Sequence, residues 1–227
     1  MTTPKIIIFT GRKQAGKDTS AVATYKVLTQ QFRKTVKIIA FADYLKEIAI
    51  NVFGLTQQQV YGTDNDKNTL TPIKWGDLPL KREHWCQIAQ AHSTNTRPIY
   101  EHTLMTAREF LKVFGTDICR TIYTDCWALA TFNRAKAASE DFVLISDCRF
   151  PNEIDVFLSL NPVVFRLMRS ISNNDAHPSE TALDTYNWNK LKHFYSVDNR
   201  KLSLSDKNTI IQEKVYEHFA PILCLKS

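Results

Sequence analysis

Apolar residues along the chain alternate between short unbroken runs and longer periodic stretches. Ile6 to Phe9 is an unbroken run that ends just before Gly11, the pattern of a strand buried on both faces. Ala21, Tyr25, Leu28 and Phe32 follow at spacings of three and four, which predicts an amphipathic helix. Val36 to Phe41 reads as a second short strand, and the helix between the two strands implies that they run parallel. Leu45, Ile48, Ala49, Val52 and Phe53 mark a further helix, with Gly54 as its stop.

The pattern then weakens. Residues 55–103 contain Gly62, Asn65, Pro72, Gly76, Pro79 and Pro98, which break any long element, and are expected to form an insertion over the sheet. Trp75 and Trp85 lie there among Lys67, Lys74, Lys81 and Arg82, a mixture suited to covering a base and its phosphate and equally common in exposed loops. A helix from Thr103 would turn Leu104, Ala107, Leu111 and Phe114 inward, with Arg108 at the stripe's edge. Gly115 would end it, and Thr116 would cap the next helix, which runs to about Lys136 and contains Trp127. Phe142 to Ser146 is a strand ending at Asp147, Pro151 to Leu160 a helix, and Val163 to Met168 a strand. His193 to Val197 is the last strand, and Ile211, Val215 and Phe219 define the last helix, Ser205 to Phe219. Strands alternating with helices predict an α/β fold with a parallel sheet.

The first strand leads into Gly11-Arg-Lys-Gln-Ala-Gly-Lys-Asp-Thr19. Gly11, four residues, then Gly16 and Lys17 match a phosphate-binding loop, in which small residues let backbone N–H groups turn towards phosphate oxygens and the lysine reaches the terminal phosphates. The helix after it points its positive end at the same anion. Asp18 stands where the template has a magnesium-ligating Ser or Thr; a carboxylate can hold hydrated Mg²⁺ through its waters, and Thr19 can still donate to a phosphate. Asp147, at the carboxyl end of a parallel strand, and Arg149 beyond it sit where open α/β sheets bind ligands; a structural ion pair at the strand end fits the same residues.

At 227 residues the chain suits one α/β domain. No apolar run approaches the roughly 20 residues of a membrane span, and the N-terminus lacks a signal-peptide pattern, so no membrane partner and a cytoplasmic location are expected. Five cysteines without a C-x-x-C pair suit reduced thiols. The net charge of +6 is scattered and forms no long basic run; nucleotide phosphates account for it without a nucleic acid polymer.

Taken together, Gly11 to Thr19, Phe41-Ala-Asp-Tyr-Leu-Lys46, Arg108 with Phe114-Gly-Thr-Asp117, Trp127, Ile145-Ser-Asp-Cys-Arg-Phe-Pro-Asn-Glu153 and His177-Pro-Ser-Glu180 resemble, in order, a phage-type deoxynucleoside monophosphate kinase, a P-loop kinase of the adenylate-kinase-like group. The resemblance implies a three-layer fold with a five-stranded parallel sheet flanked by helices, a substrate-binding insertion, and a lid-like segment over 169–190. It implies ATP and Mg²⁺ as cofactors, a deoxynucleoside monophosphate as substrate, a homodimer, and the host-cell cytoplasm if the chain is phage-encoded. By the same resemblance Gly11, Lys13, Ala15, Gly16, Lys17, Asp18 and Thr19 hold ATP, and Asp18 and Asp147 hold the metal through water. Lys46, Arg108, Gly115, Thr116, Trp127, Asp147, Arg149 and Glu153 would hold the acceptor, with Lys17, Arg108, Asp147, Arg149 and Arg169 as the catalytic set. Ala15 and Glu109 depart from the family pattern, and His177-Pro-Ser-Glu180 has no role assignable from its chemistry. The Gly-Lys-Asp loop and Ser-Asp-x-Arg segment also resemble animal-type phosphomevalonate kinases, and a catalytically silent nucleotide-binding protein is the third reading. A GTPase is disfavoured because no Asn-Lys-x-Asp segment occurs.

Overall fold

A computed structural model describes residues 3–79, 87, 99–169 and 178–223. The chain divides into two compact units, residues 1–41 with 128–227, and residues 42–127.

The first unit is built on a sheet of five parallel strands. β1 (Lys5–Gly11), α1 (Lys17–Gln30) and β2 (Val36–Ile39) form the opening βαβ unit. After the second unit the chain returns with β5 (Phe142–Cys148), β6 (Val163–Leu167) and β7 (His193–Val197), giving the order β2-β5-β1-β6-β7. β1 is therefore central, paired in parallel with both β5 and β6. Along β1 successive side chains enter opposite cores. Ile7 and Phe9 pack with Leu28, Ile211 and Val215, while Ile6 and Ile8 pack with Ala128, Ala135 and Phe157. Burial on both faces is why this strand reads as an unbroken apolar run. The flanking helices include α1 and α9 (Leu204–Leu223) towards the first core, and α6 (Cys126–Lys136) towards the second. The predicted α/β three-layer arrangement is present. The helix expected over Pro151 to Leu160 is shorter: α7 covers Pro151–Asp155, and a separate 3₁₀ turn covers Leu158–Leu160.

The second unit contains α2 (Asp43–Asn51), α3 (Gln57–Tyr61), α4 (Asp64–Lys67), an antiparallel pair β3 (Leu70–Lys74) and β4 (Leu104–Thr106), and α5 (Ala107–Lys112). Its core gathers Ala49, Val60, Trp75, Met105, Phe110 and Val113. Two expectations are corrected here. The helix expected from Thr103 begins at Ala107, because Leu104 to Thr106 pairs with β3 and Thr106 caps the helix reciprocally with Glu109. Buried Glu109 thus has a structural role as capping partner. The junction expected at Gly115 and Thr116 is absent: Val113–Cys119 is a π-helical segment that carries α5 on into Arg120–Ile122. Gly115 packs closely, and a Cβ there would lie 2.7 Å from Leu45 Cδ2, so the leucine would have to shift.

Trp85, Lys81 and Arg82 lie outside the described residues, as do 170–177 of the segment expected to act as a lid, His177 included. The described part of that segment includes α8 (Pro178–Thr181).

Candidate functional site: a phosphate loop with convergent cations

At the end of β1 the backbone takes conformations that only certain residues tolerate. Gly11 has φ 145°, and a Cβ there would sit 2.6 Å from the Leu167 carbonyl oxygen. Gln14 and Gly16 are left-handed, with φ of 60° and 94°. The loop closes on itself when the Ala15 N–H donates to the Arg12 carbonyl at 3.1 Å. Ala15 is buried and belongs to the core cluster that holds Ile7 and Phe9, and its backbone takes part in the loop. α1 begins at Lys17, aiming its free N–H groups at the loop's mouth.

Lys17 is 6% exposed, and its ammonium donates to the carbonyls of Gly11 at 2.7 Å and Arg12 at 2.9 Å. Desolvation lowers its pKa to about 8, and the neighbouring Arg149 guanidinium adds to the effect; the carboxylates of Glu180, Asp18 and Asp147 oppose it. Asp18, Asp147 and Arg149 are thereby near enough to act electrostatically on one ammonium, although Asp147 and Arg149 lie 130 residues or more beyond Lys17 in the chain.

The second wall comes from the end of β5. Asp147 accepts from the Phe41 N–H at 2.7 Å. One oxygen of buried Glu153 accepts from the N–H groups of Arg149 and Phe150, at 2.8 and 3.1 Å, which shapes the turn that presents Arg149. The Arg149 guanidinium is paired with Glu180, whose other oxygen accepts from the Lys13 N–H at 2.5 Å. Glu180 therefore joins the phosphate loop to the arginine that follows β5, a contact that the His177-Pro-Ser-Glu180 segment did not reveal from its chemistry. Beside these residues lies a cavity of about 530 Å³ whose lining includes Gly11, Arg12, Arg149, Arg166, Glu180 and Arg200. Arg12 pairs with Asp184 at 2.7 Å, and Arg166 lies 3.5 Å from the same carboxylate and 5.0 Å from the Trp188 ring. Arg169 is exposed just past β6.

The remaining expected residues lie in the second unit. Arg108, in the first turn of α5, donates to Asp64 at 2.5 Å and to Asn68 at 3.0 Å. The Lys46 ammonium lies 4.5 Å from the centre of the Tyr61 ring. Trp127 is buried, and its indole N–H donates to the Gly115 carbonyl at 2.9 Å; Thr116, on the same π-helical segment, is exposed. A π-helix displaces the regular hydrogen-bond ladder, which explains how a mid-helix carbonyl is available to an indole. Gly115 and Trp127 are thus brought into contact, while Arg108 is engaged by α4 and the residue after it.

A phosphate loop at the end of the central strand, an acid at the end of its neighbour, and the strand order above define a P-loop kinase fold. The model of the deoxynucleotide monophosphate kinase family matches residues 5–191, and the chain belongs to that family. It is also 28% identical over 174 residues, 76% of its length and 79% of the other's, to an Acanthamoeba polyphaga mimivirus protein provisionally named a deoxynucleotide monophosphate kinase. Membership makes it a phosphotransferase that uses a nucleotide. Among the described residues no helix is long and apolar enough to cross a membrane.

Proposed function

We propose that this chain transfers the γ-phosphoryl group of ATP to a deoxynucleoside monophosphate, releasing ADP and a deoxynucleoside diphosphate. The observation that carries the reading is the desolvated Lys17 ammonium at the mouth of a phosphate loop with Arg149 beside it, in a member of this family. Such cations suit a reaction that brings two anions into line and spreads their charge.

In this reading the loop from Gly11 to Gly16, with Lys13 and Ala15, cradles the ATP phosphates through its N–H groups. Lys17 exchanges the carbonyls of Gly11 and Arg12 for the terminal phosphates, and Thr19 donates from the first helical turn. Asp18 and Asp147 both act electrostatically on Lys17, and two carboxylates beside bound phosphates are the hard oxygen donors that hydrated Mg²⁺ takes. When bound, the metal would neutralise charge on the β- and γ-phosphates. Arg149, held in place by Glu153 and Glu180, faces the transferring group, and Arg169 approaches it from the start of the 169–190 segment.

For the acceptor, the reading assigns Arg108, Lys46, Gly115, Thr116 and Trp127, with Asp147, Arg149 and Glu153. Asp64 and Asn68 already engage the Arg108 guanidinium with oxygen acceptors, as a phosphate would. A phosphate monoester has a second pKa of about 6, so the attacking oxygen is ionised at neutral pH and no general base is needed. A coupled assay of ADP release with each deoxynucleoside monophosphate in turn, and with phosphomevalonate as a comparison acceptor, tests the proposal. Turnover with at least one deoxynucleotide is expected; ADP release only with phosphomevalonate, or with none of these, refutes it.

A further inference from the structure

The family model ends at residue 191, but the phosphate loop is bonded to side chains beyond that point. Asn199, 3% exposed and just past β7, donates its side-chain amide to the Ala15 carbonyl at 2.9 Å and accepts from the Arg169 N–H at 2.8 Å. One side chain therefore joins the loop to the residue that opens the 169–190 segment. Only a group with both a donor and an acceptor can make this bridge, as an amide does.

Lys207 supplies a second tie. It is 2% exposed in the first turn of α9, and its ammonium donates to the Gly16 carbonyl at 3.1 Å and to Thr19 Oγ1 at 3.0 Å. The Gly16 carbonyl also accepts from the Ser20 N–H at 3.0 Å, Ser20 Oγ at 2.9 Å and Thr19 Oγ1 at 2.9 Å. Four donors thereby engage this oxygen, which would otherwise meet an anion in the loop unfavourably. A Cβ on Gly16 would approach the Lys207 ammonium to 2.8 Å, and the left-handed backbone there, with φ 94°, favours glycine. Burial, with the nearby Arg169 guanidinium, lowers the Lys207 pKa, so the ammonium is held at a desolvation cost that its hydrogen bonds must offset.

We propose that Asn199 and Lys207 are positioning residues of the phosphate-donor site, forming a brace that keeps the loop's carbonyls engaged by protein donors and sets the loop against Arg169. This rests on the donor-site reading above. Neither residue needs to touch ATP: Asn199 acts through Ala15 and residue 169, and Lys207 through Gly16 and Thr19.

The test uses the full chain with Asn199→Ala, Asn199→Asp and Lys207→Met, measuring the binding of a non-hydrolysable ATP analogue, kinetics with each substrate varied, and thermal unfolding. Asn199→Ala, which takes the amide from the Ala15 carbonyl and the Arg169 N–H, and Lys207→Met, which removes hydrogen bonds from a charged donor, should each weaken analogue binding by about tenfold or more. The KM for ATP should rise in parallel, with the KM for the deoxynucleotide changed less than about twofold. Asn199→Asp keeps the acceptor towards Arg169 but, when ionised, cannot donate to Ala15. Its deficit relative to the parent should therefore shrink as pH falls from 8 to 5.5 and the buried carboxyl regains a proton. Analogue affinity equal to the parent's in Asn199→Ala and Lys207→Met, with only the melting temperature altered, overturns the brace. If Asn199→Ala does not fold, the Lys207→Met affinity and the pH profile of Asn199→Asp decide by the same criteria. A parent protein that binds no analogue refutes the donor-site reading itself, a result distinct from a binding parent whose variants bind equally well.

Discussion

Replacing Lys17 with methionine should separate the cost of the phosphate loop from its use. The lysine's pKa falls from 10.5 to about 8, chiefly through desolvation. At about 1.4 kcal/mol per pH unit, that is roughly 3.5 kcal/mol against holding the ammonium charged. Lys17→Met removes this cost but also removes the bonds to the Gly11 and Arg12 carbonyls, each worth about 1.5–3 kcal/mol as hydrogen bonds to a charged group. The two effects are of similar size and opposite sign. At about 2–4 °C per kcal/mol for a chain of this length, the melting temperature at pH 7 should move by no more than a few degrees. Phosphoryl transfer should fall by two or more orders of magnitude, because the preorganised charge at the terminal phosphates is gone. The pH dependence gives an internal check. Since the folded pKa lies below the unfolded one, the native state binds fewer protons than the unfolded chain between about pH 8 and 10.5, and this group's contribution to stability rises with pH across that window. The parent should therefore gain stability relative to Lys17→Met as pH rises from 8 to 10. Thermal melts at pH 7, 8.5 and 10, beside coupled ADP-release kinetics at pH 7, measure all three quantities. Near-normal turnover in a folded Lys17→Met protein, or a relative stability that falls with pH, would refute the reasoning.

The same pKa predicts that ATP binding takes up protons near pH 8.5, because the phosphates favour the charged lysine; calorimetry in buffers of different ionisation enthalpy reads the number, and zero uptake contradicts the contact. Arg149→Ala should reduce transfer by tenfold or more while shifting the melting temperature by only a few degrees, whereas a large loss of stability with full activity in the folded fraction would make Arg149–Glu180 a structural pair. Arg108→Lys should raise the KM for the deoxynucleotide or lower kcat, with ATP-analogue binding nearly unchanged, because an ammonium cannot grip a phosphate bidentately. Unaltered monophosphate kinetics would remove Arg108 from the acceptor site.

Local rules carry the sequence a long way where an element is buried continuously and punctuated by glycine. Ile6 to Phe9 followed by Gly11, Gly16 and Lys17 specifies strand, loop and helix within 30 residues, because each step depends on neighbours in the chain. Asp147 and Arg149 were legible for a similar reason: parallel strands place their carboxyl ends on one side of a sheet, so an acid ending one strand comes near the loop ending another.

Thr103 to Ile122 was less legible, since its outcome depended on contacts distant in sequence. Pairing with β3 draws Leu104 to Thr106 out of the helix that their spacing suggested. Leu45 and the Trp127 indole occupy the space and the carbonyl at Gly115, where local signals alone fitted a chain break. Glu180 and Asn199 carried no periodic signal at all. Lys207 did leave one: it falls on the stripe of Ile211, Val215 and Phe219, four residues before the first, and a lysine at a core position calls for a buried partner. The sequence by itself determined the order along the chain of the five parallel strands, the phosphate loop and the cations available to it, because these follow from periodicity, backbone tolerance and charge. Tertiary structure alone decided which carbonyls Lys17, Lys207 and Asn199 reach and which carboxylate holds Arg149, because a hydrogen bond requires an approach to about 3 Å between groups as much as 191 residues apart.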